Sequence, residues 1–212
     1  MRRVTARAFE RTRRLSAVQA GPGGTFPGHE VAGLNKVMVM GRCQAMEPRE
    51  FVRFLYPAAR TVQAETGISA AAMIAQAALE TGWLQAPVKD RYDGRPAYNL
   101  FNLKGQGPAG SVRALDSEHH RSERQTVEHY FRAYRSYEES FRDYADLILN
   151  SPRYRRAAEV RHDAVAFLKE LAAAGYATDP AYVQKLESIL RRHVWPALAE
   201  LESENSTGSI PR

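Results

Sequence analysis

One stretch constrains the chain more than any other. Ser69–Trp83 reads SAAAMIAQAALETGW. Its alanines, methionine, isoleucine and leucine favour a helix, and Ser69 is placed to cap the first backbone N–H groups. Gly82 ends the run, and Trp83 follows with a large flat ring. The run carries one acid. Met73, Ala77 and Glu80 fall at i, i+4 and i+7, so Glu80 shares a face with two apolar residues. A carboxylate on a core-facing stripe is costly unless it is paired or protonated, and burial raises a carboxyl pKa. Glu80 is therefore expected to hold its proton near neutrality, as a general acid must. The same spacing also fits a glutamate in the last turn that reaches water and does no chemistry.

Charge divides the chain unevenly. Residues 1–46 hold eight basic and two acidic side chains, which is the whole formal excess of +6. The body is neutral, so it lacks the electrostatic footprint of a nucleic-acid binder. The segment is read as a basic, disordered leader over 1–46, with GPGGTFPG at Gly21–Gly28 and no apolar core of a secretory signal. A basic amphipathic helix through Val4, Ala8, Phe9 and Leu15 is the other reading of its first part. Nowhere does an apolar run approach the ~18 residues of a membrane span. Cys43 is the only cysteine, so no disulfide within the chain is possible.

The domain proper is expected over 47–202, with a disordered tail over 203–212. Pro48 suits a first helical position, and Phe51, Phe54, Leu55, Ala58 and Val62 form an apolar face that Pro57 should kink. Residues 84–110 are rich in turn signals around YNLFNLK at Tyr98–Lys104. Two amides, a phenyl ring and an ammonium suit carbohydrate, yet the same amides serve equally in a structural turn. Val112 and Ala114, then Val127, Phe131 and Ala133, predict two short strands around the polar turn Glu118–Gln125. His119–His120 lacks the spacing of a metal site, so no metal is expected. Thereafter helices are predicted from a Ser136/Glu139 capping box, from Pro152, from Asp163, and from Asp179–Pro180 to an interruption at Pro196.

Taken in order, ALETGW, NLFNLK, a hairpin, FRAYRSYEESFRDY, NSPRY and GYATDP resemble the glucosaminidase domain of glycoside hydrolase family 73 over residues 48–195. The flagellar rod-associated members of that family are the most similar in pattern. The resemblance implies a mainly α, lysozyme-like domain with a small β-hairpin lobe flanking a substrate cleft. It implies hydrolysis of the β-1,4 bond between N-acetylglucosamine and N-acetylmuramic acid in peptidoglycan glycan strands, with no metal or organic cofactor. Glu80 matches the catalytic acid. Glu118, thirteen residues before Phe131, matches the second carboxylate, although the motif here is Asp116–Ser117–Glu118 and so adds Asp116 as a rival. Tyr176 matches the aromatic residue of the YATDP turn, near the sugar acetamido group. Trp83, Asn99, Phe101, Asn102 and Lys104 are the expected substrate contacts, with Ala97–Tyr98 standing where the family has Ser before NLF.

These residues imply an acid in Glu80, a water-activating base in Glu118 on a mobile hairpin, and a substrate-assisted path with Tyr176 as a variant. A lytic transglycosylase and a non-catalytic wall-binding module are the competing readings. The substrate would place the protein in the bacterial periplasm or wall. A flagellar apparatus, a phage route or a truncated reading of the gene would each account for export in a chain with no visible signal, and the sequence does not choose among them.

Overall fold

The apolar run folds as a helix, α2 (Ala70–Thr81), and every residue from Ala70 to Ala78 is buried. The Ser69 hydroxyl accepts from the Ala72 N–H at 3.4 Å, so the predicted cap is in place. The fold is that of a computed structural model, which describes residues 46–120 and 123–207, with backbone alone at 117–120, 123–125 and 205–207. The expected leader through residue 45 and the end of the tail from 208 lie outside the described residues.

Helix α1 (Pro48–Thr66) runs unbroken through Pro57 and stops at Gly67, whose φ of 75° suits glycine. Its buried stripe is Phe51, Val52, Leu55, Ala59 and Val62, while Phe54 stays exposed and meets the edge of Tyr137. Gln63 on α1 accepts from the Ala70 N–H at 2.6 Å, joining the end of one helix to the start of the next.

Strands β1 (Ser111–His120) and β2 (Glu123–Arg132) pair antiparallel. They are longer than the sequence pattern predicts. Glu118, His119 and His120, expected in a turn, pair with Gln125, Arg124 and Glu123. Backbone pairing needs no apolar side chain, so the period-two signal ends before the ladder does.

Helix α3 (Tyr137–Asn150) begins at Ser136, whose hydroxyl accepts from the Glu139 N–H at 3.2 Å. Glu139 reaches back to the Arg135 N–H at 2.6 Å, one residue beyond the N-cap N–H that a regular capping box would bond. A single 3₁₀ turn (Pro152–Tyr154) leads to α4 (Arg155–Glu159), and Asp163 caps α5 (Ala164–Ala173) through the Val165 and Ala166 N–H groups. Helix α6 (Tyr182–Ile189) passes through a wide π-helical turn (Leu190–Val194) into α7 (Trp195–Thr207).

The last connection corrects two expectations. Pro196 lies near the start of α7, where the preceding wide turn absorbs it, and it does not end the helical path. The helix then continues past the expected boundary at 202 as far as Thr207. Two ion pairs hold it on α1, Arg49–Glu200 at 2.7 Å and Arg53–Glu204 at 2.5 Å. Such contacts between distant segments leave no periodic trace in sequence.

Two buried polar groups fasten the loops, one to a helix and one to the hairpin. Ser140 on α3 is fully buried and accepts from the Leu100 N–H at 3.1 Å. Asp90 accepts from the backbone N–H groups of Tyr92 and Arg113, each at 2.9 Å, and so fastens the loop after α2 to β1. The Arg113 bond, then the Tyr92 bond, hold the Asp90 carboxyl below its ordinary range.

Ser140→Ala should lower unfolding free energy by about 1–3 kcal/mol, measured by urea denaturation, because it strands the Leu100 N–H inside. Asp90 has a lowered folded pKa, so its contribution is present above the ordinary value of 3.8 and is lost as pH falls through the folded value. Thermal melts should therefore show wild type more stable than Asp90→Asn at neutral pH, with the gap closing only in acid below that value.

Candidate active site

Glu80 sits in the last turn of α2, half-buried. Beyond it the chain turns sharply, because Gly82, Trp83 and Leu84 are all left-handed, with φ of 56°, 60° and 60°. Side-chain-bearing residues rarely take that conformation, and here two do in succession. Thr81 supports the turn by accepting from the Leu84 N–H at 3.1 Å. Trp83 is thereby set half-buried between the ring edges of Phe51 at 5.3 Å and His193 at 5.2 Å.

The NLFNLK loop packs against this turn. Asn102, also left-handed at φ 52°, donates from its amide to the Glu80 carbonyl at 3.0 Å and to Glu80 Oε2 at 3.2 Å. One amide thus fixes both the end of the helix and the orientation of its carboxyl group.

Three of the expected substrate contacts have other work. Asn99 is 3% exposed and commits both ends of its amide to backbone. It donates to the carbonyls of Leu103 and Arg132, each at 2.9 Å, and accepts from the N–H groups of Phe101 and Leu103. Phe101 is 1% exposed and stacks on Tyr144 at 4.0 Å, so it belongs to the core. The Lys104 ammonium pairs with Asp116 at 3.1 Å and lies 5.9 Å from the centre of the Phe131 ring. That pair also engages Asp116, the rival acid. The turn reading of the loop therefore holds for Asn99, and Asn102 is the amide that faces the acid.

Behind Glu80 stands a set of phenols. Tyr176 is 3% exposed, and its hydroxyl finds no hydrogen-bond partner among the described residues. Its ring lies 6.3 Å from Tyr144, 6.0 Å from Tyr154 and 6.1 Å from Tyr182. Gln76, fully buried one turn before Glu80, accepts from the Tyr144 hydroxyl and donates to the Tyr182 hydroxyl at 2.9 Å. Burial, with the neighbouring phenols second and the Glu80 charge adding to them, raises the Tyr176 pKa well above the ordinary value. Burial also leads in raising Tyr144 and Tyr182, and Glu80 contributes to both. All three are neutral O–H groups at physiological pH.

Glu118 lies in β1 opposite Gln125, at a register position shared with Val112, Ala114 and Asp116 on one strand face. Its side chain is outside the description. Among the described residues no group of three or more His, Cys, Asp or Glu side chains gathers as a metal site, and no helix is long and apolar enough to cross a membrane.

Sequence reasoning missed Gln76, Tyr144 and Tyr182. The first had a visible signal, since it lies four residues before Glu80 and therefore on its face. The two tyrosines look like ordinary apolar positions of α3 and α6. Chemically, the arrangement is one carboxyl group, oriented by an amide and backed by neutral hydroxyl donors. It can give and take a proton and solvate the charge that results.

The glucosaminidase family model, described as mannosyl-glycoprotein endo-β-N-acetylglucosaminidase, matches residues 56–194. The chain is 34% identical over 157 residues to the peptidoglycan hydrolase FlgJ of Pseudomonas aeruginosa, covering 73% of this chain and 39% of that protein. It spans less than half the length of the FlgJ relatives it matches. Among solved structures, a peptidoglycan hydrolase mutant from Sphingomonas sp. A1 is 40% identical, with a TM-score of 0.62, covering 72% of this chain and 99% of that one. The glycoside hydrolase domain of Salmonella typhimurium FlgJ is 32% identical, with a TM-score of 0.61, covering 77% and 97%. The mainly helical, lysozyme-like fold with its hairpin lobe is common to this chain and these neighbours.

Asn99→Ala removes four hydrogen bonds to backbone groups and should lower the melting temperature by several degrees, by differential scanning fluorimetry. Phe101→Ala should remove about 3–5 kcal/mol of stability in the same preparation, as expected for a core ring and not for a surface sugar platform.

Proposed function

This chain belongs to the glucosaminidase family, and from that premise we propose that it is a peptidoglycan hydrolase. The reaction is endo-β-N-acetylglucosaminidase cleavage of the β-1,4 bond between N-acetylglucosamine and N-acetylmuramic acid. The observation that carries the reading is the position of Glu80, at the end of a buried helix, bonded by Asn102 and faced by neutral phenols. The family description alone would fit several β-N-acetylglucosaminides. The bacterial relatives named for peptidoglycan narrow the choice.

In this reading Glu80 gives its proton to the glycosidic oxygen as the C1–O bond breaks. Glu118 takes a proton from water as the water oxygen bonds to C1. Tyr176 offers its unpartnered hydroxyl to the sugar or to the charge developing beside it. A carboxyl separation of ~6.5–9.5 Å in the closed complex would give inversion, and one of ~5 Å a covalent, retaining path. A hairpin that moves on binding can set that separation. Trp83 and Asn102 are the remaining substrate contacts of choice. The substrate places the reaction outside the inner membrane, in periplasm or wall. A flagellar or phage export partner belongs to the same proposal.

Digestion of purified peptidoglycan, followed by borohydride reduction and mass spectrometry, tests the reading. Wild type should release reduced N-acetylglucosamine ends, and Glu80→Gln should lose about 10²–10⁴-fold in rate. Anhydromuramic ends would identify a lytic transglycosylase, and binding without release by either protein would identify a wall-binding module. Asn102→Ala should lose about 10- to 100-fold in kcat/KM through misorientation of Glu80, while keeping its fold by circular dichroism.

A further inference from the structure

Gln76 has no place in the chemistry just given, yet it is a fully buried carboxamide on the face of α2 that carries Glu80. A buried amide in a helix of alanines is costly unless both ends are bonded. Both are, and the two bonds run in opposite senses. The Tyr144 hydroxyl donates to Gln76 Oε1, while Gln76 Nε2 donates to the Tyr182 oxygen at 2.9 Å.

That polarity has a consequence for each phenol. Tyr144 has one proton, and the amide takes it. Tyr182 uses a lone pair, so its own proton is left over. No acceptor for it occurs among the described hydrogen bonds. Tyr176, whose ring lies 6.1 Å away, likewise has a hydroxyl without a partner. Among the described residues two buried O–H donors therefore stand unused at one place, and the charge of Glu80 acts on both, as it does on Tyr144. Buried donors are almost always paired, so a site holding two unpaired ones suits negative charge that develops during turnover.

We propose that Gln76 is a positioning residue that holds the Tyr144 proton inward and turns the Tyr182 proton outward. Tyr182 and Tyr176 then form a donor pair that stabilises the carboxylate left on Glu80 once its proton has gone to the leaving oxygen. This rests on the reading of Glu80 as the acid. Among the described residues, the Asn102 amide from the loop and the phenols of Tyr144 on α3 and Tyr154 before α4 also face the site. The amide already donates to the carboxyl, Tyr144 is turned away, and Tyr154 contacts Tyr176 by its ring. A donor to the anion lowers the pKa of the acid, so removing it moves the alkaline limb of the pH–rate profile upward.

The test compares Tyr182→Phe with Tyr144→Phe in the full chain, using pH profiles of kcat/KM on peptidoglycan and thermal melts. Each variant keeps its ring and removes one bond from the same amide, so the two should lose similar amounts in melting temperature. Tyr182→Phe alone should move the alkaline limb upward, by about half a pH unit or more. Gln76→Met should move it in the same direction, and the double variant no further than Tyr182→Phe. Equal movement in the two tyrosine variants, or movement in neither, would overturn the proposal and leave Gln76 as a structural amide. Wild-type cleavage and its loss in Glu80→Gln are read in the same assay, so failure of the glycosidase reading is recognised separately.

Discussion

The helices of this domain are packed around one that has almost no solvent face, while the hairpin root has a small core of its own at Ala97, Val112, Phe131 and Ala133. From Ala70 to Ala78, α2 is buried on all sides, and α1, α3 and the helices after the hairpin are the wall that makes this possible. Small alanine side chains let the neighbours come close, so a short helix suffices to organise a long chain. Only at its last turn does α2 reach half-exposed ground, and there the acid stands. Packing and chemistry are therefore one arrangement. The helix is rigid because it is enclosed, and Glu80 is well placed because the helix is rigid.

Polar groups inside this core are few and each has a definite task. Asn99 closes a loop on itself, Ser140 receives the Leu100 N–H, Asp90 gathers backbone N–H groups, and Gln76 links two phenols. The first three are satisfied by backbone and give shape. Gln76 is satisfied by side chains, and one of them, Tyr182, keeps its own hydroxyl proton.

The helical frame was legible because its signals are local. Ser69, Ser136 and Asp163 cap where the sequence places them, and Gly67 and Gly82 stop their helices as left-handed residues. What depends on distant partners was not legible. The hairpin outruns its alternating pattern because backbone pairs whatever the side chains, and α7 outruns its apolar content because Arg49 and Arg53 hold it. In the site, the acid and Tyr176 stood out in the motifs. Asn99 and Phe101 looked like ligand contacts because a turn amide and a core ring have the same composition as a sugar platform. Burial alone separates the two.

The loop from Asn99 to Lys104 has a mechanical meaning. Asn102 grips Glu80 and Lys104 grips Asp116 on β1, while backbone bonds from Arg132 to Leu103 and from Gly105 to Tyr130 fasten β2 to the same few residues. The hairpin is thus a lever whose fulcrum is the strap holding the acid. From β2 the path to Glu80 runs through two backbone hydrogen bonds, a few residues of the strap and the Asn102 amide. The root of the hairpin must therefore keep its shape if the Glu80 carboxyl group is to keep its orientation.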